Sequence, residues 1–144
     1  MNEYCELVAQ AKKEGIQRFV VAAILTHNNK TLLLKRPSDD FMAGLWELPS
    51  GKVEGEETLQ EALKREVTEE TGLEIQEIES YVGSFDYTSG SGKKTRQFSF
   101  VATTKNHQPI TLTEHETHAW IQPEDLDEYK VSKEVRAQLQ QHWN

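Results

Sequence analysis

The chain has 144 residues, 36% hydrophobic and 28% charged, with 24 acidic against 16 basic side chains and a net charge of −8. That length supports one domain with a sizeable core, residues 1–144, and the composition is that of an ordinary soluble globular protein. The acidic balance opposes non-specific nucleic-acid binding, and no apolar run reaches membrane-spanning length.

The first residues, M-N-E-Y-C-E, lack the basic and apolar regions of a signal peptide. Cys5 is the only cysteine, which excludes an internal disulfide, so a cytoplasmic protein is expected. Tyr4, Leu7, Val8 and Ala11 share a helical face and Gly15 ends the pattern, predicting a helical extension over residues 1–17. That face either docks on the domain, the preferred reading, or meets a second copy, so a monomer or a homodimer is expected. R-F-V-V-A-A-I-L-T (18–26) reads as a buried strand, H-N-N-K as a turn and T-L-L-L-K (31–35) as the returning strand, closed by Pro37. Arg36 follows as either a solvated strand-end arginine or a ligand for phosphate or nucleoside. Residues 38–50 read as a polar link, with Trp46 a core residue.

Thr58 with Glu61 has the form of a capping box, and Leu59, Ala62, Leu63 and Val67 follow at helical spacing. Gly72 occupies the position of a left-handed C-terminal residue. A helix from near Thr58 to near Thr71 is predicted. After it, Glu74–Thr88 contains a strand, S-G-S-G-K-K (89–94) a hairpin loop and Thr95–Thr104 a second strand, paired antiparallel with the first. Phe98 and Phe100 are assigned to the core, whereas Tyr87 and Arg96 are open between a nucleotide pocket and a structural role. A short strand around Ala119–Ile121, a helical turn started by Pro123 and a last helix over Val131–His142 complete the chain. His115 and His118 are assigned to a loop rather than to a metal site. Strands with helices before, between and after predict an α/β domain whose sheet is covered on both faces.

The carboxylates of the central helix set it apart. Glu66, Glu69 and Glu70 are spaced i, i+3, i+4 and share a face. At about 100° per residue, Glu66 and Glu70 fall within the apolar stripe and Glu69 at its edge. Carboxylates packed against apolar surface cost free energy unless a cation compensates. Three oxygens on one face suit Mg²⁺ or Mn²⁺, with water and substrate phosphate completing the shell. The cluster contains neither His nor Cys, which argues against zinc.

The spacing Gly51, Glu57, Arg65-Glu66-Val67, Glu69-Glu70, Gly72-Leu73 resembles the Nudix box of the Nudix hydrolases at every defining position, over 23 residues. The resemblance implies a Nudix-type α/β/α sandwich with a mixed β-sheet and a Mg²⁺-dependent pyrophosphohydrolase. It implies scaffolding for the Glu57–Arg65 pair and structural roles for Gly51 and Gly72. Metal would be held by Glu66, Glu69 and Glu70, with help from the Ser50 carbonyl and from Glu114, and Glu116 is the second choice for that loop acid. Glu66, Glu69 and Glu114 are the catalytic candidates, the general base among them being left open. Ser50 departs from the family pattern, which has glycine there. In MutT-like members an arginine placed like Arg36 holds the nucleotide, and Tyr87 and Arg96 join it as candidate substrate ligands. The layout of R-P-S-D-D-F-M-A-G-L-W-E-L-P-S-G favours a small-molecule nucleotide, a (d)NTP or modified NTP, cleaved to NMP and pyrophosphate. ADP-ribose or another nucleoside diphosphate derivative is the alternative. A non-catalytic module of the same fold is a further one, although it would be expected to have lost box carboxylates.

Overall fold

The structure, a computed structural model, describes residues 4–37 and 44–143; part of the 38–50 link, residues 38–43, lies outside them. Helix α1 (Cys5–Lys13) precedes strands β1 (Arg18–His27), β2 (Lys30–Lys35), β3 (Trp46–Glu47) and β4 (Ser50–Lys52). Helix α2 (Leu59–Thr71), strands β5 (Ile75–Thr88), β6 (Lys94–Thr104) and β7 (Thr117–Ile121), a 3₁₀ turn over Pro123–Glu128 and helix α3 (Lys133–Trp143) follow.

Strand β1 is the axis of the seven-stranded sheet, ordered β3-β2-β1-β6-β5. One edge of β1 runs parallel to β6 from Arg18↔Thr95 to Leu25↔Ala102. Its other edge is shared: β4 pairs antiparallel at Val20–Ala22, and β2 at Thr26 and His27. Strand β7 pairs antiparallel with β2, and β5 with β6. Asn28 and Asn29 make the β1–β2 turn with φ of 50° and 63°, the positive values that a tight hairpin requires and asparagine tolerates.

The continuous apolar run of β1 is explained by burial on both faces. Val21, Ala23 and Leu25 join Leu59, Leu63 and Val67 of α2, with Phe98 and Phe100 of β6, and α1 lies over the same cluster through Ala11, Leu7 and Val8. Ala22 and Ile24 face the other way, onto Leu33, Val101 and Val135 and Leu139 of α3. Helices therefore cover both faces of a mixed sheet, the predicted α/β/α sandwich, and α1 packs on the core of its own chain.

Two expectations change. The 38–50 link contains strands β3 and β4, anchored where the Arg36 N–H reaches the Leu45 carbonyl and the Ala23 N–H the Pro49 carbonyl, both at 2.9 Å. The last helix begins at Lys133 rather than Val131, because the Ser132 hydroxyl accepts the Val135 N–H at 3.2 Å and caps it.

Candidate active site

Helix α2 is held at both ends. The Thr58 side chain accepts the Glu61 N–H at 3.0 Å, the Glu61 carboxylate accepts the Thr58 N–H at 2.9 Å, and Gly72 closes the helix at φ 77°. The apolar stripe anchors on the core and carries the carboxylates in as predicted: side-chain exposure is 14% for Glu66, 11% for Glu70 and 54% for Glu69 at the edge.

Arg65 organises them. Its Nε and Nη2 grip the Glu57 carboxylate at 2.6 and 2.8 Å, its Nη2 reaches the Lys52 carbonyl at 3.0 Å, and its Nη1 donates to Glu66 at 2.7 Å and Glu69 at 3.1 Å. The guanidinium holds the Glu57 carboxyl down to about 2. Glu66 leans on Gly51, where any Cβ would fall on its carboxylate; burial pushes the Glu66 pKa up, with Arg65 opposing. Glu70 accepts the Ser50 N–H at 2.7 Å, and burial drives its carboxyl up to about 7 against that bond and a nearby histidine. Ser50, in place of the family's glycine, takes an ordinary strand conformation within β4.

The nearby histidine is His115. Its side chain is only 6% exposed, its Nε2 lies 2.7 Å from Glu47 Oε2 and its Nδ1 4.0 Å from Glu70 Oε2, without a hydrogen bond. Burial opposes its protonation, but the Glu47 hydrogen bond and the Glu70 and Glu47 charges outweigh it and raise the pKa. His115 thus lies in the loop it was assigned to, with its side chain turned into the site, whereas His118, assigned to the same loop, falls within β7. Thr111 N–H on the Thr71 carbonyl and Glu116 N–H on that of Lys35 suspend the His115 loop between α2 and β2. Glu47 was missed as well, because β3 and the loop meet across 68 positions and nothing local in the sequence links them.

Of the predicted residues, Arg36, Ser50, Gly51, Glu70, Tyr87 and Glu114 line one polar cavity of about 290 Å³, to which Glu47 and His115 also contribute. Glu66 and Glu69 do not line it; the Glu66 carboxylate lies behind the lining residue Gly51, and Arg65 ties Glu69 to Glu66. Arg36 donates to both oxygens of Glu47 at 3.3 Å. Glu116 turns away to Lys35, at 3.5 Å, which leaves Glu114 as the loop acid beside the cavity. Arg96 is placed elsewhere. Strand alternation sends it to the sheet face opposite Gln97, where Asp86 and Glu14 bind it at 2.7 and 2.6 Å. A second cavity, lined by Trp46, Leu48, Phe85, Ser132, Glu134 and Val135, opens beside the first and shares Glu47, Ser50, Tyr87 and Gln97 with it.

A NUDIX domain profile matches residues 17–141. The chain belongs to the Nudix family. Among its relatives, the CTP pyrophosphohydrolase of Escherichia coli K12 is 35% identical over 113 residues, 78% of this chain and 82% of that one. Nucleoside triphosphatase NudI of Escherichia coli O139:H28 is 32% identical over 133 residues, covering 85% and 94%. The solution structure of the Escherichia coli ORF135 protein superposes with a TM-score of 0.73 at 31% identity, over 90% and 91% of the two chains. The protein is accordingly a Nudix hydrolase. No helix among the described residues is long and apolar enough to cross a membrane.

Among the described residues, no three of His, Cys, Asp and Glu already converge as a metal cage. The donor chemistry nonetheless fits a hard divalent ion. Glu66, Glu69 and Glu70 offer oxygen only, they adjoin one another, and buried Glu70 is satisfied by a single backbone N–H and lacks a strong counter-ion.

Proposed function

We propose that this Nudix hydrolase is a Mg²⁺-dependent pyrophosphohydrolase of nucleoside triphosphates. Water adds to a phosphorus of the anhydride, the P–O bond breaks, and NMP and pyrophosphate leave. The observation that carries the reading is the pairing of two cavities. One is walled by carboxylates and arginine; the other presents Trp46, Leu48, Phe85 and Val135, an apolar surface of the kind a nucleobase occupies. The names of the relatives, a CTP pyrophosphohydrolase and a nucleoside triphosphatase, point the same way.

Glu66, Glu69 and Glu70 would hold the ion, with the Ser50 carbonyl and Glu114 as further oxygens. When bound, Mg²⁺ neutralises phosphate charge and activates water. The protein's own groups do the rest. Arg65 keeps the glutamates aligned, Glu47 fixes Arg36 where it meets a phosphate, and a carboxylate among Glu66, Glu69 and Glu114 takes the proton from water. Mn²⁺ has the same ligand preferences and would serve as a substitute.

The test is a screen at equal concentration of the four dNTPs, CTP, 8-oxo-dGTP, ADP-ribose, NADH and diadenosine polyphosphates with Mg²⁺. Catalytic efficiency highest on a triphosphate is expected. A preference above about tenfold (~1.4 kcal/mol) for ADP-ribose or a dinucleotide would overturn the triphosphatase reading.

A further inference from the structure

Arg18 opens β1 and lines the carboxylate cavity, on the same strand face as Val20 and near Gln97. Its Nε is buried and has no hydrogen-bond partner. The other four arginines are all engaged by carboxylates: Arg36 by Glu47, Arg65 by Glu57, Arg96 by Asp86 and Arg136 by Asp127. Among the described residues, Arg18 alone has no such partner. A guanidinium donor withdrawn from water and left unmatched costs free energy. Its planar fork is shaped for a carboxylate or a phosphate. The cavity's own acids, Glu47, Glu70 and Glu114, form no ion pair with it, so the anion it fits comes from outside the chain.

Position says which anion. The apolar cavity shares Glu47, Ser50, Tyr87 and Gln97 with the carboxylate cavity, but neither Arg18 nor Lys52 lines it. Lys52 sits opposite Val20 in the β1–β4 ladder, two residues along β1 from Arg18. A nucleotide with its base in the apolar cavity would enter the carboxylate cavity past the shared residues, which would bring its terminal phosphate among the groups that line the carboxylate cavity alone, Arg18 and Lys52 among them. We infer that Arg18, assisted by Lys52, anchors the terminal phosphate of the triphosphate and therefore the departing pyrophosphate. It is the residue that selects a triphosphate over a nucleoside diphosphate joined to an uncharged group. This rests on the triphosphatase reading above.

The experiment compares wild type, Arg18→Gln and Arg18→Lys on the best (d)NTP and on ADP-ribose, and measures inorganic pyrophosphate binding by calorimetry. Arg18→Gln should lower the ratio of kcat/KM for triphosphate over ADP-ribose at least tenfold, mainly through KM. It should weaken pyrophosphate binding by a similar factor, and Arg18→Lys should restore part of both. An unchanged ratio together with unchanged pyrophosphate affinity overturns the inference. If Arg18→Gln fails to fold, Arg18→Lys and Lys52→Gln carry the same comparison, and no change in either overturns it. A wild-type enzyme that cleaves ADP-ribose but no triphosphate, with pyrophosphate affinity still falling in the variant, defeats the triphosphatase reading and leaves Arg18 as a phosphate anchor.

Discussion

Glu70 carries the sharpest conflict between stability and function in the molecule. Its carboxylate is buried beneath β4, accepts one backbone N–H, and is pushed up to about 7. Glu70→Gln keeps an oxygen for the Ser50 N–H while removing the charge. At pH 8 without metal, the variant should melt a few degrees above wild type by calorimetry, because an uncompensated buried charge is gone. With Mg²⁺ its kcat should fall at least a hundredfold, and its Mg²⁺ affinity at least tenfold. Full activity would remove Glu70 from the ion's ligands. At this scale the sequence was legible wherever one helix supplied the geometry: Glu66, Glu69 and Glu70 follow from spacing alone. It was not legible where strands and loops meet. Glu47 and His115 come together across the sheet, and Arg96, open between a pocket and a structural role, is decided by partners from elsewhere in the chain, Asp86 of β5 and Glu14 after α1.

At the scale of elements, α2 owes its position to its ends. Thr58→Ala removes the acceptor of the Glu61 N–H and undoes the reciprocal bond. A cost of about 1 kcal/mol is expected, which is roughly 2–4 °C in Tm for a domain near this size. A thermal scan checks it, and kcat on the best nucleotide should stay within about threefold, since Thr58 does not line the cavity. The capping box, the apolar stripe and the closing glycine made this helix readable. Strands β3 and β4 were not, because two or three residues carry no periodicity. They exist by pairing with β2 and β1, a tertiary effect.

For the whole molecule, the ionisable groups of the site set how stability follows pH. Glu70, raised to about 7, holds its proton more tightly folded than unfolded. Its contribution is therefore full below the unfolded value near 4.3 and lost as pH rises through about 7, on the order of 3 kcal/mol. Glu66 and His115, both raised, add in the same direction. Glu57, held at about 2, does the opposite: its contribution is present above about 4.3 and lost as pH falls through 2. Metal-free protein should accordingly gain Tm from pH 8 down to about pH 5 and lose it below pH 4. Added Mg²⁺, which binds the ionised carboxylates, should raise Tm more at pH 7.5 than at pH 5. Equal rises at both pH values would count against a site built from carboxylates.

The parallel β1–β6 pair also bears on how the chain comes to be made. Strand β1 ends at His27 and its parallel partner at Thr104, so 77 further residues must be synthesised before that edge is covered. At about 5–20 residues per second, V-V-A-A-I-L waits on the ribosome for roughly 4–15 s with one long edge open. Strands β2 and β4, made sooner, pair only with the opposite edge, at Thr26 and His27 and at Val20–Ala22. The V-V-A-A-I-L run of β1, uncharged and without proline, is thus both the axis of the finished sheet and, during translation, an adhesive stretch.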